Sequence, residues 1–127
     1  MHAIKAALMC WIIVSLYSCN HKNGSKGNSL NDSLAIKWQL DTNACFGYRS
    51  VKISDSLILK YKLSGKSIDS VKLVLGNPGD QYNGEGNQVV FRYYLSGDCP
   101  NNNETDHCRL DIFFFGDRFD SFGYTCL

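Results

Sequence analysis

The sequence predicts an α+β domain in which a pair of helices packs on an antiparallel sheet of three to four strands. A short helix with both ends marked is predicted at residues 67–75, and an amphipathic segment precedes it from about Ser50. Segments rich in β-branched and aromatic residues follow at 88–95, 108–115 and 119–126. Helical segments followed by a run of strand segments are typical of an α+β fold.

The helix at 67–75 carries signals for its start and its end. Ser67 suits the N-cap, because its hydroxyl can accept the free backbone N–H near Ser70. Asp69 places a negative charge in the first turn, where it favours the helix dipole. Gly76 is expected to end the helix in a left-handed conformation, and Pro78 stops further winding. The apolar face of this helix consists of Ile68, Val71, Val74 and Leu75.

Two segments before this helix are predicted from their apolar spacing. The segment after Ser50 forms a first amphipathic helix that ends before Gly65, and the short connection predicts that the two helices pack as a pair. Residues 34–40 alternate between apolar and other side chains, which predicts an extended or irregular segment lying on the core. The apolar residues of the first helix are Ile53, Leu57, Ile58 and Tyr61.

The last two strands predict a β-hairpin whose register follows from its apolar residues. A two-residue loop would pair Phe115 with Arg118 and leave Ile112 opposite a serine. A three-residue loop at 116–118 pairs Phe115 with Phe119 and makes one face wholly apolar, whereas a one-residue slip would destroy that face. The pairs that this register predicts are Ile112 with Phe122, Leu110 with Tyr124, and Cys108 with Cys126.

The hairpin register also bears on the cysteines. Apart from Cys10 and Cys19, the chain contains Cys45, Cys99, Cys108 and Cys126. Four cysteines allow three pairings. The hairpin favours Cys108–Cys126, which leaves Cys45–Cys99, while the main rival joins Cys99 to Cys108 and Cys45 to Cys126. An even number of cysteines in an exported chain is typical of structural disulfides.

Residues 1–18 are typical of an export signal. Lys5 supplies a positive start, and the apolar run at 6–16 is shorter than the roughly 20 residues that a permanent membrane helix needs. The following Leu-Tyr-Ser-Cys at 16–19 resembles a bacterial lipobox. That resemblance implies that Cys19 becomes the new N-terminus and carries acyl chains, which anchor the protein to a membrane. The alternative is an ordinary secretory signal that a cysteine follows by chance.

The chain after the signal divides into a linker and one domain. Residues 19–33 are rich in Gly, Ser and Asn, which is typical of a flexible tether. Residues 34–127 then form the α+β domain. The whole sequence has a net charge of +1 at pH 7, and Lys5 is the only charged side chain in the signal, so the mature chain is neutral. A nucleic-acid-binding protein is expected to have a basic surplus, so nucleic acid is excluded as a partner.

The helix motif carries a family resemblance. The pattern Leu-x-Gly-x-Ser-x-x-x-Val-x-x-x-Leu-Gly-x-Pro at 63–78 resembles the BamE/SmpA-type outer-membrane lipoproteins and the related β-lactamase-inhibitor-like fold. The cluster Asp41…Cys45-x-Gly47-x-Arg49 and the Tyr-Tyr-Leu at 93–95 look closer still to small lipoproteins of Bacteroidota. This resemblance implies a lipid-anchored protein of the cell envelope, in the outer membrane facing the periplasm. BamE itself assists β-barrel assembly as an accessory scaffold and lacks the cysteine framework of this chain.

Candidate catalytic and metal-binding residues are few. Cys45 would serve as a nucleophile with His107 or His21 as the base, but structural disulfides account better for the cysteines. A metal site at Cys99, Asp106, His107 and Cys108 lacks close Cys-x-x-Cys spacing. The acidic side chains Asp98, Glu104 and Asp106 lack regular spacing for calcium ligands. We therefore expect no enzymatic activity, no cofactor, no metal and no small-molecule substrate.

Two functions are compatible with these features. The first is a membrane-anchored, non-enzymatic lipoprotein of the envelope that binds a protein partner or acts as a scaffold. The alternative is an inhibitor or immunity-type protein that binds and blocks an enzyme. Such a protein would present either the loop between Cys99 and Cys108 or the aromatic sheet to the cleft of its target.

Overall fold

The computed structural model describes residues 31–97, Cys99 and residues 107–127. Within these ranges the helices are α1 (Ser33–Leu40), α2 (Val51–Lys60) and α3 (Ile68–Leu75). The strands are β1 (Asp80–Asn83), β2 (Gln88–Tyr94), β3 (Cys108–Phe115) and β4 (Arg118–Cys126). They form one antiparallel sheet in the order β1-β2-β3-β4, so the predicted α+β class and antiparallel sheet are confirmed. The predicted signal peptide at 1–18, the predicted lipid site Cys19 and the predicted linker as far as residue 30 lie outside the described residues.

The hydrophobic core lies between the helices and one face of the sheet. Alternate residues of β2 and β3 point into it, and they include Phe91, Tyr93, Leu110 and Ile112, all fully buried. The helices cover this face with Trp38, Leu57, Val71 and Leu75. No helix in the described part of the chain has both the length and the apolar content needed to cross a membrane.

The predicted boundaries of α3 are confirmed. Ser67 is the N-cap and its hydroxyl accepts a hydrogen bond from the Ser70 N–H at 3.3 Å. Asp69 lies in the first turn, and Gly76 ends the helix with a φ of 73°. The ψ of Gly76 is −169°, so this residue is not in the left-handed helical region that the sequence predicted.

The prediction of an extended segment at 34–40 is wrong, because this segment is helix α1. Asp32, which the sequence grouped with the linker, is its N-cap and accepts a hydrogen bond from the Leu34 N–H at 3.0 Å. Ala35 and Trp38 then lie three residues apart on one helical face and are fully buried. The apparent alternation was misleading because Leu40, one of its apolar members, is exposed to solvent.

The predicted pair of α2 and α3 is also wrong, because α3 contacts α1 instead. The connection after α2 is held at the edge of the sheet, where the Gly65 N–H donates to the Phe119 carbonyl at 2.9 Å. At the other end of α3, the Trp38 Nε1–H donates to the Leu75 carbonyl at 3.1 Å. The Gln39 Nε2 donates to the carbonyls of Leu73 and Val74. Helix α1 therefore satisfies the C-terminal carbonyls that a helix leaves without partners.

The register of the last hairpin is confirmed along most of its length. The pairs Ile112–Phe122, Leu110–Tyr124 and Cys108–Cys126 are present. The turn is different, because Phe115 pairs with Arg118 and the loop therefore has two residues instead of three. A β-bulge at Asp120 absorbs the extra residue, so a short turn and the apolar register exist in the same hairpin.

The ion pair at the start of α1 gives a pH-dependent contribution to stability. The Asp32 carboxylate accepts hydrogen bonds from the Lys60 ammonium at 2.7 Å and from the Tyr61 hydroxyl at 2.8 Å. These two bonds, with that from the Leu34 N–H, lower the pKa of Asp32 from 3.8 to about 2. A lowered folded-state pKa means that the contribution is complete above the unfolded value and is lost as the pH falls.

We expect Asp32→Asn to lower the free energy of unfolding at neutral pH, because asparagine keeps the helix cap but removes the charge. The difference in the free energy of unfolding between wild type and variant is expected to shrink as the pH falls from 3.8 to about 2. Urea denaturation of both proteins across this pH range measures it. A difference that stays constant down to the lowest pH would show that the carboxylate charge contributes nothing.

Candidate partner-binding face

The face of the sheet opposite the helices is polar and aromatic. Side chains alternate between the two faces along each strand. The residues directly before and after each core residue therefore point to this second face, which we call the open face. It is defined by Tyr82, Arg92, Tyr94, Arg109, Asp111 and Phe115. Tyr, Phe and Arg are the residue types that protein–protein interfaces favour.

An ion pair lies at the centre of the open face. Arg92 and Asp111 are directly opposite each other on β2 and β3. The Arg92 Nε donates to one Asp111 oxygen at 2.8 Å, and its Nη2 donates to the other at 3.1 Å. The same Nη2 donates to the Tyr82 hydroxyl at 3.0 Å. The bond to Asp111 raises the pKa of Arg92, and the bidentate geometry fixes the guanidinium in one orientation.

Arg109 lies beside this ion pair with part of its hydrogen-bonding capacity unused. Its Nε is 3.6 Å from an Asp111 oxygen, which is too long for a hydrogen bond. This nitrogen is buried and has no hydrogen-bond partner among the described residues. A buried donor in this state is costly to the folded protein.

Tyr94 is held in place at the end of the open face. Its hydroxyl donates to the Asp80 carboxylate on β1, and this bond is the main cause that raises the pKa of Tyr94. Its ring lies directly on Gly79, where an added Cβ would come within 2.7 Å of the ring carbon Cδ2. The ring is therefore a fixed aromatic surface.

A cleft of about 320 Å³ opens beside Tyr94. Its lining residues are Thr42, Asn43, Tyr94, Ser96, Gly97 and His107. One wall is the segment after α1, and the other walls are the end of β2 and the start of β3. The open face and the cleft share Tyr94 and form one continuous candidate site.

The segment that forms the first wall is organised by a buried carboxylate. Asp41 accepts hydrogen bonds from the backbone N–H groups of Cys45, Phe46 and Tyr48, at 2.8, 3.1 and 3.0 Å. We call residues 41–49 the Asp41 turn. Three backbone donors on one carboxylate fix the path of this turn, and the cluster that the sequence singled out therefore has a structural role.

Arg49 closes the Asp41 turn from inside the protein. Its Nε donates to the Trp38 carbonyl at 3.0 Å and its Nη1 donates to the Thr42 carbonyl at 3.2 Å. The guanidinium lies 5.2 Å from the ring centre of Trp38 and 5.8 Å from that of Tyr93. Burial lowers the pKa of Arg49, while the charge of Asp41 opposes this effect. The turn is thus bonded to α1 and packed against β2.

The paired cysteines lie at the cleft end of the candidate site, since Asn43, Gly97 and His107, close to them in sequence, line the cleft. Cys45 in the Asp41 turn is bonded to Cys99, and Cys108 is bonded to Cys126, with S–S distances of 2.06 and 2.01 Å. This is the pairing that the hairpin register favours over its rival. Since the Cys45 sulfur is in a disulfide, it is not a free nucleophile. No group of three His, Cys, Asp or Glu residues that would suit a metal lies within the described residues. Three of the residues considered for metal binding, Asp98, Glu104 and Asp106, lie outside them.

The sequence did not predict the open face or the cleft. The strand at 88–95 was interpreted through its apolar residues, and the polar residues between them were left without a role. The pairing of Arg92 with Asp111 depends on the register between β2 and β3, which a long loop separates. The signal that was available was the alternation of Tyr and Arg with core residues in this strand.

Comparisons with known proteins found no relative. No protein-family model, no curated protein and no solved structure matches this chain. The class that the structure defines is therefore an α+β domain with an open antiparallel sheet, and the resemblance to BamE-type lipoproteins stays a prediction.

Gly97→Ala is expected to disrupt the cleft. An added Cβ at Gly97 would lie 2.2 Å from the Asn43 carbonyl oxygen, which is part of the backbone and cannot rotate away. We expect a loss of about 1–3 kcal/mol in the free energy of unfolding, as for other overpacked sites. Gly123→Ala is the matched control, because an added Cβ there has no atom within 4 Å. Equal losses in the two variants, measured by urea denaturation, would contradict this close contact.

Proposed function

We propose that this protein is a lipid-anchored, non-enzymatic protein of the cell envelope that binds a protein partner through the open face and the adjoining cleft. The observation that supports this proposal is the composition and rigidity of the open face. Tyr82, Tyr94 and Arg92 of this face are held by hydrogen bonds within the protein. A surface that is already ordered loses little conformational entropy on binding.

The exposure of the open face also supports a partner. Phe115 is 66% exposed, and Tyr82 and Tyr94 are also exposed. Val90 lies on the same face, opposite Tyr82 on β1 and Phe113 on β3. It is buried between these two neighbours. The face therefore combines an apolar centre with polar and aromatic surroundings, which is the usual arrangement of a protein interface.

The lipid anchor is supported by the lipobox resemblance at 16–19, and the position in the outer membrane by the BamE-type helix motif. Mass spectrometry of the N-terminal peptide from the native membrane tests the anchor. We expect residue 19 to be the first residue and to carry acyl chains, and a Cys19→Ser chain to carry none. An unmodified Cys19 in the mature protein would contradict the anchor.

Binding through the open face is tested by capture of the tagged full chain from cross-linked membranes. Phe115→Asp is expected to reduce recovery of the partner at least about tenfold, since exposed aromatic residues contribute much of the binding energy. Leu59→Asp is the matched control, because Leu59 is 75% exposed on α2, on the helix side of the sheet. The proposal is wrong if both substitutions reduce recovery equally or if neither does.

The alternative function, inhibition of an enzyme, is favoured by one observation. The two disulfides hold the two ends of the segment between Cys99 and Cys108, next to the cleft. Gly97 and His107, close to these cysteines in sequence, line the cleft, so the disulfides fix walls that an enzyme would contact. Recovery of a single hydrolase in the same capture experiment would support the inhibitor, and recovery of barrel-assembly components would support the scaffold.

A further inference from the structure

The outer edge of β4 has backbone groups to which no other described residue forms a hydrogen bond. At its start, the strand is covered by the connection between α2 and α3, where the Phe119 N–H donates to the Lys66 carbonyl at 2.8 Å and the Gly65 N–H donates to the Phe119 carbonyl. The bulge at Asp120 follows. Beyond it, residues 121–126 pair with β3 on one side only.

The direction of these backbone groups follows from the end of the strand. Leu127 and His107 exchange two hydrogen bonds of 3.2 Å, so the N–H and C=O of Leu127 point toward β3. Because this direction alternates along a strand, the N–H and C=O groups of Phe122 and Tyr124 point away from the sheet. Among the described residues, none forms a hydrogen bond with these four groups.

The side chain of Phe122 is uncovered at the same place. Phe122 is opposite the buried Ile112 and therefore lies on the helix side of the sheet. It is nevertheless 39% exposed, with its ring between those of Phe119 and Tyr124, at 6.0 and 5.8 Å. An apolar core-side residue and a free backbone edge thus coincide at one point.

Proteins normally prevent strands from pairing between molecules by short length, charged side chains, proline, β-bulges or a covering loop. In β4 the bulge and the connection between α2 and α3 protect only the start of the strand. The opposite edge strand, β1, is four residues long and contains Asp80. The free part of β4, Ser-Phe-Gly-Tyr-Thr-Cys at 121–126, has no charged residue and no proline.

We propose that β4 pairs with β4 of a second copy of this chain, antiparallel, about a two-fold axis at Gly123. In this register Phe122 is opposite Tyr124 of the second copy, and the four outward groups of each copy all find partners. Aromatic pairs of this kind stabilise neighbouring strands. Gly123 is opposite itself, where it has no side chain to obstruct the contact. The product is a dimer with one continuous eight-stranded sheet.

A second copy fits this edge because the segment is complementary to itself. The uncharged sequence brings no like charges together across the axis, and the outward N–H groups of Phe122 and Tyr124 meet the outward carbonyls of the same two residues in the second copy. The proposal does not depend on the lipid anchor or on the open face, since β4 pairs through its backbone edge and Phe122 points to the helix side.

The test uses charges at the two-fold axis. An added Cβ at Gly123 meets no atom within 4 Å in the single chain. Because Asp111 lies opposite Gly123 on β3, circular dichroism and thermal midpoints first establish that Gly123→Lys and Gly123→Glu are folded monomers. In the dimer, each would place like charges directly opposite each other, which destabilises strand pairing. We expect each variant alone to dimerise at least tenfold more weakly than wild type, and an equimolar mixture of the two to recover dimerisation.

Sedimentation velocity of the purified full chain over a range of concentrations measures these effects. Gln81→Lys and Gln81→Glu on β1, at the opposite edge of the sheet, are the controls and should dimerise like wild type. A wild-type chain that stays monomeric at every concentration would overturn the proposal, as would single variants that dimerise normally. A photo-crosslinker at position 122 should give a product of twice the chain mass. A product containing a different protein would instead show that β4 binds another partner.

Discussion

Trp38→Ala is expected to lower the free energy of unfolding by about 3–5 kcal/mol, the range for removal of a large aromatic side chain from a core. Trp38 is fully buried, and its ring centre is 6.2 Å from that of Tyr93 on the sheet. Its Nε1–H also satisfies the Leu75 carbonyl at the end of α3. Alanine removes both contacts, and the short helix α1 has no other large buried side chain to hold it.

Two further variants identify the cause of this loss. Trp38→Phe keeps most of the packing but leaves the Leu75 carbonyl without its donor, and we expect it to cost about 1–3 kcal/mol. Ile36→Ala alters a residue of the same helix that is 43% exposed, and we expect it to change stability by less than about 1 kcal/mol. Denaturation in urea gives all three values. If Trp38→Ala costs no more than Ile36→Ala, α1 does not pack on the core as described.

The second large effect is expected from the disulfide between Cys45 and Cys99. This bond joins residues 54 apart in the sequence, whereas Cys108–Cys126 joins residues 18 apart. Removing the longer cross-link is expected to cost about 4 kcal/mol and removing the shorter one about 3 kcal/mol, since a longer loop constrains the unfolded chain more. Cys45→Ser with Cys99→Ser, and Cys108→Ser with Cys126→Ser, are the matched pairs to compare.

The two double variants also differ in what they leave behind. Without Cys45–Cys99, the Asp41 turn is still held by its backbone hydrogen bonds and by Arg49. Without Cys108–Cys126, the β3–β4 ladder remains. We therefore expect both proteins to fold at low temperature and to differ in thermal midpoint. A larger loss for the shorter cross-link would show that effects in the folded state outweigh loop entropy.

The sequence predicted the elements whose signals are local. Ser67 and Gly76 mark the ends of α3 because caps depend on neighbouring backbone groups. The pairing of Leu110 with Tyr124 followed from the requirement for one apolar face, because a register slip would reverse every side chain. These predictions needed no knowledge of distant residues.

The features that the sequence did not predict depend on distant residues. Helix α1 packs against α3 because Trp38 reaches the Leu75 carbonyl, and no local pattern indicates that contact. The two-residue turn keeps the apolar register because Asp120 bulges out of the ladder, and no local pattern in the sequence indicates such a bulge. The open face depends on the pairing of Arg92 with Asp111 across two strands. The sequence contains these residues but does not indicate that they are neighbours in the fold.

The strand order has a consequence for how the chain reaches this structure. Each strand pairs with its neighbour in sequence, and the β3–β4 hairpin closes the shortest loop of these pairs, which costs the least chain entropy. Closing the loop between Cys108 and Cys126 costs less chain entropy than closing the longer loop between Cys45 and Cys99. We therefore expect oxidative folding to start at the C-terminal hairpin, with the bond between Cys108 and Cys126 formed first and α1 docking last.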